Sequence, residues 1–270
     1  MKSRLFPALL KYHRRRRGLS QLDLAVEADV SARHLSFLES GRAQPSAEMV
    51  LGLLSVLGAS LREQNEALIA AGLEPRFLEP QAGALSPEVE SVLTLMMSQH
   101  EPFPLTVLGV DGTVLRANGA AKAMFAAFAA DRAALAALGS SLDIFTLFFD
   151  PGLWRPFVVG WDHVARAMLA RLHRVVLLRQ DERLTARLDR LLAFPHVPRA
   201  WRQPDFSAPV GPTASFRLER EGRRVGFLVT VTTFSSPGDV TLDELRIESC
   251  FPLDSETRVV CEANPELRIP

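Results

Sequence analysis

The sequence predicts an α+β protein of two domains: an all-α domain of five helices, then a domain packing helices on one antiparallel sheet. Three observations predict this. Five amphipathic runs, most with a capping residue, fit before Gly72. Between Gly72 and Pro87 the residues Pro75, Pro80, Gly83 and Pro87 break the helical pattern. Beyond them, strand-like apolar runs flank Asp111-Gly112 and Glu221-Gly222, with a long helical stretch between the two pairs. The expected division is a helical domain over 1–74, a linker over 75–86 and an α+β domain over 87–264.

The first helix is expected over 3–17, with Leu5, Phe6, Leu9 and Leu10 on one stripe. Ser20 and Ser31 stand where N-caps belong, and their hydroxyls can accept bonds from the orphan N–H groups of two short helices. Ala25 is small enough for those helices to cross closely, and Leu24, Val30, Leu35 and Leu38 fall on inward positions. This is the pattern of a helix-turn-helix, whose second helix enters the major groove of DNA. Ser46 caps a fourth helix with Val50, Leu53, Leu54 and Leu57 inward, ended by Gly58. Ser60 and Glu63 form a capping box for a fifth helix with Leu61, Leu68 and Ile69 apolar.

In the second half, Ser86-Pro87 starts a helix over 87–100. LTVLGVDGTVLRAN reads as a hairpin turning at Asp111-Gly112, and Asn118 can cap the helix that follows. Helical patterns continue to about residue 193, clearest over 161–179, where Val164, Met168, Leu172 and Val175 share one side. SFRLER and RRVGFLVTVTTF form a second hairpin about Glu221-Gly222. DVTLDELRIESCF reads as a further strand after Pro237-Gly238.

Lys+Arg and Asp+Glu each number 31, so overall charge does not indicate nucleic-acid binding. The distribution is less even. Residues 1–17 contain Lys2, Arg4, Lys11 and Arg14 to Arg17 and no acid, which suggests one polyanion-facing surface. The run Arg14–Arg17 has two readings, solvated charges at a helix end or salt-dependent phosphate contacts. Cys250 and Cys261 fit reduced thiols rather than a disulfide framework. No apolar run approaches the roughly 18–20 residues of a membrane span, and no signal peptide is evident, so the expectation is a soluble, cytoplasmic protein.

Residues 20–46, SQLDLAVEADVSARHLSFLESGRAQPS, resemble the DNA-binding domain of the Cro/C1-type (XRE) repressors. Asp29 departs from the glycine most common in that turn, and Asp tolerates the left-handed backbone needed there. FPLTVLGVDGTVLRANGAAKAMF, IFTLFFDPGLWRPFVVGWDHVARAMLARL and FLVTVTTFSSPGDVTLDELRIESCFP are similar to the MmyB-like ligand-binding domain, which has a PAS-like fold. The two resemblances together imply a bacterial transcription regulator that binds operator DNA as a homodimer and responds to a small effector, and not an enzyme.

The helix-turn-helix resemblance puts the DNA contacts on the second helix and its flanks. Ser31, Ala32 and Arg33 lie in or beside its first turn, and helical spacing turns Arg33, Ser36, Phe37 and Ser40 outward. The Arg33 fork suits guanine O6 and N7. Phe37 either packs on a thymine methyl or belongs to the domain's own core, and His34 is a surface or phosphate-contacting residue. Gln21, Arg42 and Gln44 match positions that meet the sugar-phosphate backbone.

The second domain is rich in large apolar groups. Most belong to a core. The ligand-binding resemblance makes Phe103, Val107, Phe145, Phe148, Phe149, Trp154, Trp161, Phe227 and Phe234 candidates for lining a cavity for an apolar effector such as a fatty acid. No cofactor or metal is expected. The sequence lacks G-x-S-x-G, H-E-x-x-H, Walker-type and dinucleotide motifs. His163 and His173 lack a nearby third ligand, and adjacent Asp162 and His163 make a poor catalytic pair. The alternative from another class is a haem- or flavin-dependent sensor or enzyme with an attached DNA-binding domain.

Overall fold

The computed structural model describes residues 5–77, 85–179, 182–203, 214–234, 242 and 244–263. These fall into two compact units that divide between Leu85 and Ser86.

The first unit has five helices: α1 (Leu5–Arg16), α2 (Gln21–Glu27), α3 (Ala32–Ser40), α4 (Ala47–Val56) and α5 (Leu61–Ala70). Caps set their starts. The hydroxyls of Ser20, Ser31, Ser46 and Ser60 accept from the N–H three residues on. Ser60 and Glu63 make the reciprocal box, and Ser20 and Asp23 make a second one. Asp29 takes φ 51° in the turn between α2 and α3, so an aspartate does adopt the left-handed backbone there. Phe6, Leu10, Leu24, Ala25, Leu35, Leu38, Val50, Leu53, Leu54 and Leu68 form one buried core.

Two apolar residues depart from the sequence reading. Leu5 is 66% exposed and Ile69 60% exposed, each next to a buried neighbour. Consecutive helical side chains point about 100° apart, so Phe6 and Leu68 turn inward while these turn out. Residues 3 and 4 of the expected first helix lie outside the described residues. The start of the expected linker is tied down: Asn65 accepts from the backbone of Arg76 and Phe77 and donates to the Phe77 carbonyl. Pro80 and Gly83 lie outside the described residues.

The second unit opens with α6 (Pro87–His100), capped by Ser86 with Pro87 in its first turn. Strands β1 (Leu105–Leu108) and β2 (Val114–Ala117) pair as the expected hairpin. Gly112 takes φ 84°, and a Cβ there would stand 2.6 Å from the Phe145 ring, so both backbone and space call for glycine. Asn118 caps α7 (Gly119–Ala127) and also accepts from the Leu105 N–H, joining helix to strand. Then come α8 (Arg132–Leu138), α9 (Ile144–Phe149), α10 (Trp161–Arg179) and α11 (Glu182–Leu192).

The second hairpin is β3 (Ala214–Arg220) with β4 (Arg223–Thr232), turning through Glu221 and Gly222, both at positive φ. Strand β5 (Arg246–Pro252) pairs with β1 on one side and β4 on the other, giving the antiparallel order β2-β1-β5-β4-β3. The last described helix is α12 (Ser255–Ala263). The expected final strand therefore starts later than the sequence suggests, at Arg246. Pro237, Gly238, residues 239–241 and residue 243 lie outside the described residues.

A buried charge cluster ties three of these elements. Arg187 of α11 pairs with Asp111 of the first hairpin at 2.9 Å and with Asp143, the N-cap of α9, at 2.7 Å. Asp143 also accepts from the Thr146 N–H, so one carboxylate caps a helix and anchors an arginine.

Candidate functional site

Helix α3 carries the exposed surface expected of a recognition helix. Its inward residues are Leu35, Leu38 and Glu39. Ser31, Ala32, Arg33 and Ser40 are exposed, as are Arg42 and Gln44 beyond the helix, while Gln21, His34, Ser36 and Phe37 are half-buried. Phe37 is not part of the core. Its ring lies between two guanidinium groups, 5.4 Å from Arg33 and 5.9 Å from Arg42. This cation–π pairing brings one residue of the helix's first turn and one beyond its end to a common apolar platform. Gly41 ends α3 at φ 72°, and the Arg42 N–H donates to the Phe37 carbonyl, fixing where Arg42 leaves the helix.

Behind this surface lies a clamp that the sequence reading missed. Arg14 of α1 donates twice to Glu39, Nε to Oε1 at 2.5 Å and Nη2 to Oε2 at 2.9 Å. Gln21 donates its amide to the same carboxylate at 2.7 Å. One buried glutamate thus links α1, α2 and α3 and holds the recognition helix against the other two. Burial pushes the Glu39 carboxyl up, but the bonds from Arg14 and Gln21 outweigh it and hold the pKa below the usual range. Its signal was in the sequence: Glu39 is four residues after Leu35, on the inward stripe, and a buried glutamate requires a cation. Arg16 likewise pairs with Glu63. Of the run Arg14–Arg17, only Arg15 and Arg17 are exposed.

The second domain contains a cavity of about 310 Å³ between the sheet and the helices, within the size range of small-molecule sites. Met124 and Phe125 of α7, Ile144, Phe145 and Phe148 of α9, and Trp154 form part of its wall. Helix α10 contributes His163, Val164, Ala167, Met168 and Arg171, a stripe at helical spacing. The sheet contributes residues from every strand but β2, including Thr106, Phe216, Val229, Glu248 and Cys250.

Of the apolar candidates, the cavity brings together Phe145, Phe148 and Trp154, whose rings form an edge-on cluster with Phe216. The others sit elsewhere. Phe149 is fully buried against Trp161. Trp161 stacks near Trp201 and under Arg155, and donates to the Phe148 carbonyl. Val107 follows Thr106 on β1, so strand alternation turns it to the opposite face. Phe227 is buried beneath Phe216, Phe103 packs near His100 and Arg258, and half-buried Phe234 follows β4.

The wall is more polar than the sequence suggested, because Arg171 and Glu248 face it. Burial pushes the Glu248 carboxyl up to about 7, against the pull of Arg171. His173 does not face the cavity and bonds the Trp201 carbonyl. Both cysteines are free and buried, and burial raises both thiol pKa values, Cys261 to about 11. Among the described residues no group of three His, Cys, Asp or Glu is placed to hold a metal ion, and no helix is long and apolar enough to cross a membrane.

Two family models match the chain. Residues 10–64 match the helix-turn-helix model, and residues 89–263 match the MmyB-like transcription regulator ligand binding domain. No curated protein sequence matches. The helical unit carries the first match and the unit with the cavity carries the second. The chain is a DNA-binding transcription regulator with a ligand-binding domain, and it belongs to the family of MmyB-like transcription regulators.

Proposed function

We propose that the protein is a sequence-specific regulator that binds a pseudo-palindromic operator as a homodimer in the cytoplasm. On this reading an apolar effector such as a fatty acid occupies the cavity of its PAS-like domain. The observation that carries the DNA half is the exposed Arg33–Phe37–Arg42 platform on and just beyond α3. Arg33 supplies a bidentate donor for guanine, and Phe37 supplies an apolar face for a thymine methyl. Arg42, beyond the helix end, holds phosphate, helped by Gln21 and Gln44. Residues 75–86 link this domain to the effector domain. The effector half is supported by the aromatic wall of Phe145, Phe148 and Trp154. Each methylene buried there contributes about 0.8 kcal/mol. The ligand changes DNA affinity to the extent that it binds two domain arrangements unequally.

Arg33→Ala is expected to cost about 1–3 kcal/mol of operator binding and to relax preference at one base pair. Arg42→Ala is expected to weaken binding to all sequences and to flatten the salt dependence. Operator selection from random DNA, followed by titration at several salt concentrations, measures both. An unchanged selected sequence with Arg33→Ala refutes the base-reading role. Half-sites are expected about 34–36 Å apart or a multiple of that. A footprint over a single half-site by a monomer in sedimentation refutes the dimer.

A further inference from the structure

The cavity is apolar on most sides, yet it holds two opposite charges that do not meet. Arg171 lies on the cavity-facing stripe of α10, and Glu248 lies on β5 opposite Thr106 of β1. They feel each other electrostatically, but among the described residues neither has a hydrogen-bond or ion-pair partner. A guanidinium carries five donors, and leaving them unmet in an apolar enclosure is costly. Its best complement is a carboxylate, which accepts two parallel bonds from the fork.

Glu248 constrains that complement. Ionised, it would repel a second carboxylate; neutral, its hydroxyl can donate to one. Burial makes the neutral form accessible at ordinary pH, since the carboxyl titrates near 7. The other titratable groups on this wall are His163, also on α10, and Cys250, on the same face of β5. The Cys250 thiol is held neutral by burial first and by Glu248 second. The neighbouring strands present uncharged Thr106 and Val229.

We propose that Arg171 and Glu248 form one head-group site for a monocarboxylate: Arg171 pairs with the ligand's carboxylate, and neutral Glu248 donates a hydrogen bond to it. Each anionic ligand then enters with one proton taken from solvent, which remains on Glu248. This rests on the reading of the cavity as the effector site. The sign follows from the neutral form being required. Binding is at full strength below the Glu248 pKa of about 7 and weakens about tenfold per pH unit above it. The ligand's own carboxyl stays ionised over that window.

The test is calorimetric titration of the full chain with decanoate and with decanamide, an uncharged probe of equal chain length. It is run from pH about 6 to about 9 in two buffers of different ionisation enthalpy. Decanoate is expected to bind with proton uptake and to lose about tenfold in affinity per unit above neutrality. Glu248→Gln keeps a donor and loses the titration, so its decanoate affinity is expected to stay level across the range, without proton uptake. Arg171→Met is expected to weaken decanoate binding by tenfold or more, on the order of one lost charge-assisted bond, with little change for decanamide. Tryptophan fluorescence checks that both variants fold, because all three tryptophans lie in this domain. If decanoate binds without pH dependence, or Glu248→Gln keeps the wild-type slope, the head-group site is overturned while the cavity reading stands. If neither probe binds any of the three proteins at any pH, the cavity reading falls and takes the head-group site with it.

Discussion

Replacing Arg187 with methionine is expected to destabilise the ligand-binding domain by about 3–5 kcal/mol, because it strips a buried ion cluster of its only cation. The Arg187 side chain is 8% exposed and faces the carboxylates of Asp111 and Asp143. Without it, two carboxylates stand close together, and Asp143 at 10% exposure has little access to water. The loss should reach beyond α11, since Asp111 shapes the first hairpin turn and Asp143 starts α9, which carries Phe145 and Phe148 into the cavity wall. Urea unfolding followed by tryptophan fluorescence reads this domain alone. Adding Asp111→Asn to Arg187→Met should return part of the loss by removing one uncompensated charge. A midpoint within experimental error of wild type would show that the cluster contributes nothing net.

The second large effect is expected at Glu39. Glu39→Ala leaves Arg14, at 11% side-chain exposure, without its carboxylate and frees Gln21. The expected cost is about 3–5 kcal/mol to the helical domain, comparable with the whole stability of a small domain. Glu39→Gln keeps the shape and one acceptor, so its cost should be smaller. Operator binding should fall with stability, because the same carboxylate positions α3.

The pH dependence has the same origin. Glu39 and Glu63 both have depressed pKa values: burial pushes each up, but bonds from Arg14 and Gln21, or from Arg16 and the Ser60 backbone, outweigh it. Their contribution is fully present above the unfolded carboxylate pKa of about 4.3 and is lost as pH falls through the folded values. His13, buried and held below its usual pKa chiefly by desolvation, acts in the same direction. Its contribution is present above about pH 6.5 and declines below it. Far-ultraviolet circular dichroism across an acid titration should show the helical domain losing stability from near pH 6.5 downward. Glu39→Gln should flatten the lower part of that profile. A domain equally stable at pH 7 and pH 4 would contradict this account.

Much of the fold is legible in the residues because its determinants are local. Ser20, Ser31, Ser46, Ser60, Ser86 and Asn118 each cap a helix through an N–H three residues away. Asp111-Gly112 and Glu221-Gly222 turn their hairpins through positive φ at the glycine. Inward stripes such as Leu35 and Leu38, or Val164 and Met168, follow from 3.6 residues per turn. The outward positions of Arg33 and Ser40 follow from the same rule.

The sequence by itself determined the two-domain order, the helix starts, the hairpins and the outward face of the recognition helix. Each depends on contacts within a few residues, where backbone geometry leaves few choices. Only the tertiary structure decided that Glu39 meets Arg14 and Gln21, 25 and 18 residues away. Only the tertiary structure separated Phe148, on the cavity wall, from Phe149, sealed against Trp161. It also brought Arg171 and Glu248 to one wall, because β5 inserts between β1 and β4 rather than at a sheet edge. Pairing order and helix placement are set by closing long loops and burying whole faces together. No local pattern of residues encodes which distant side chains then share a cavity.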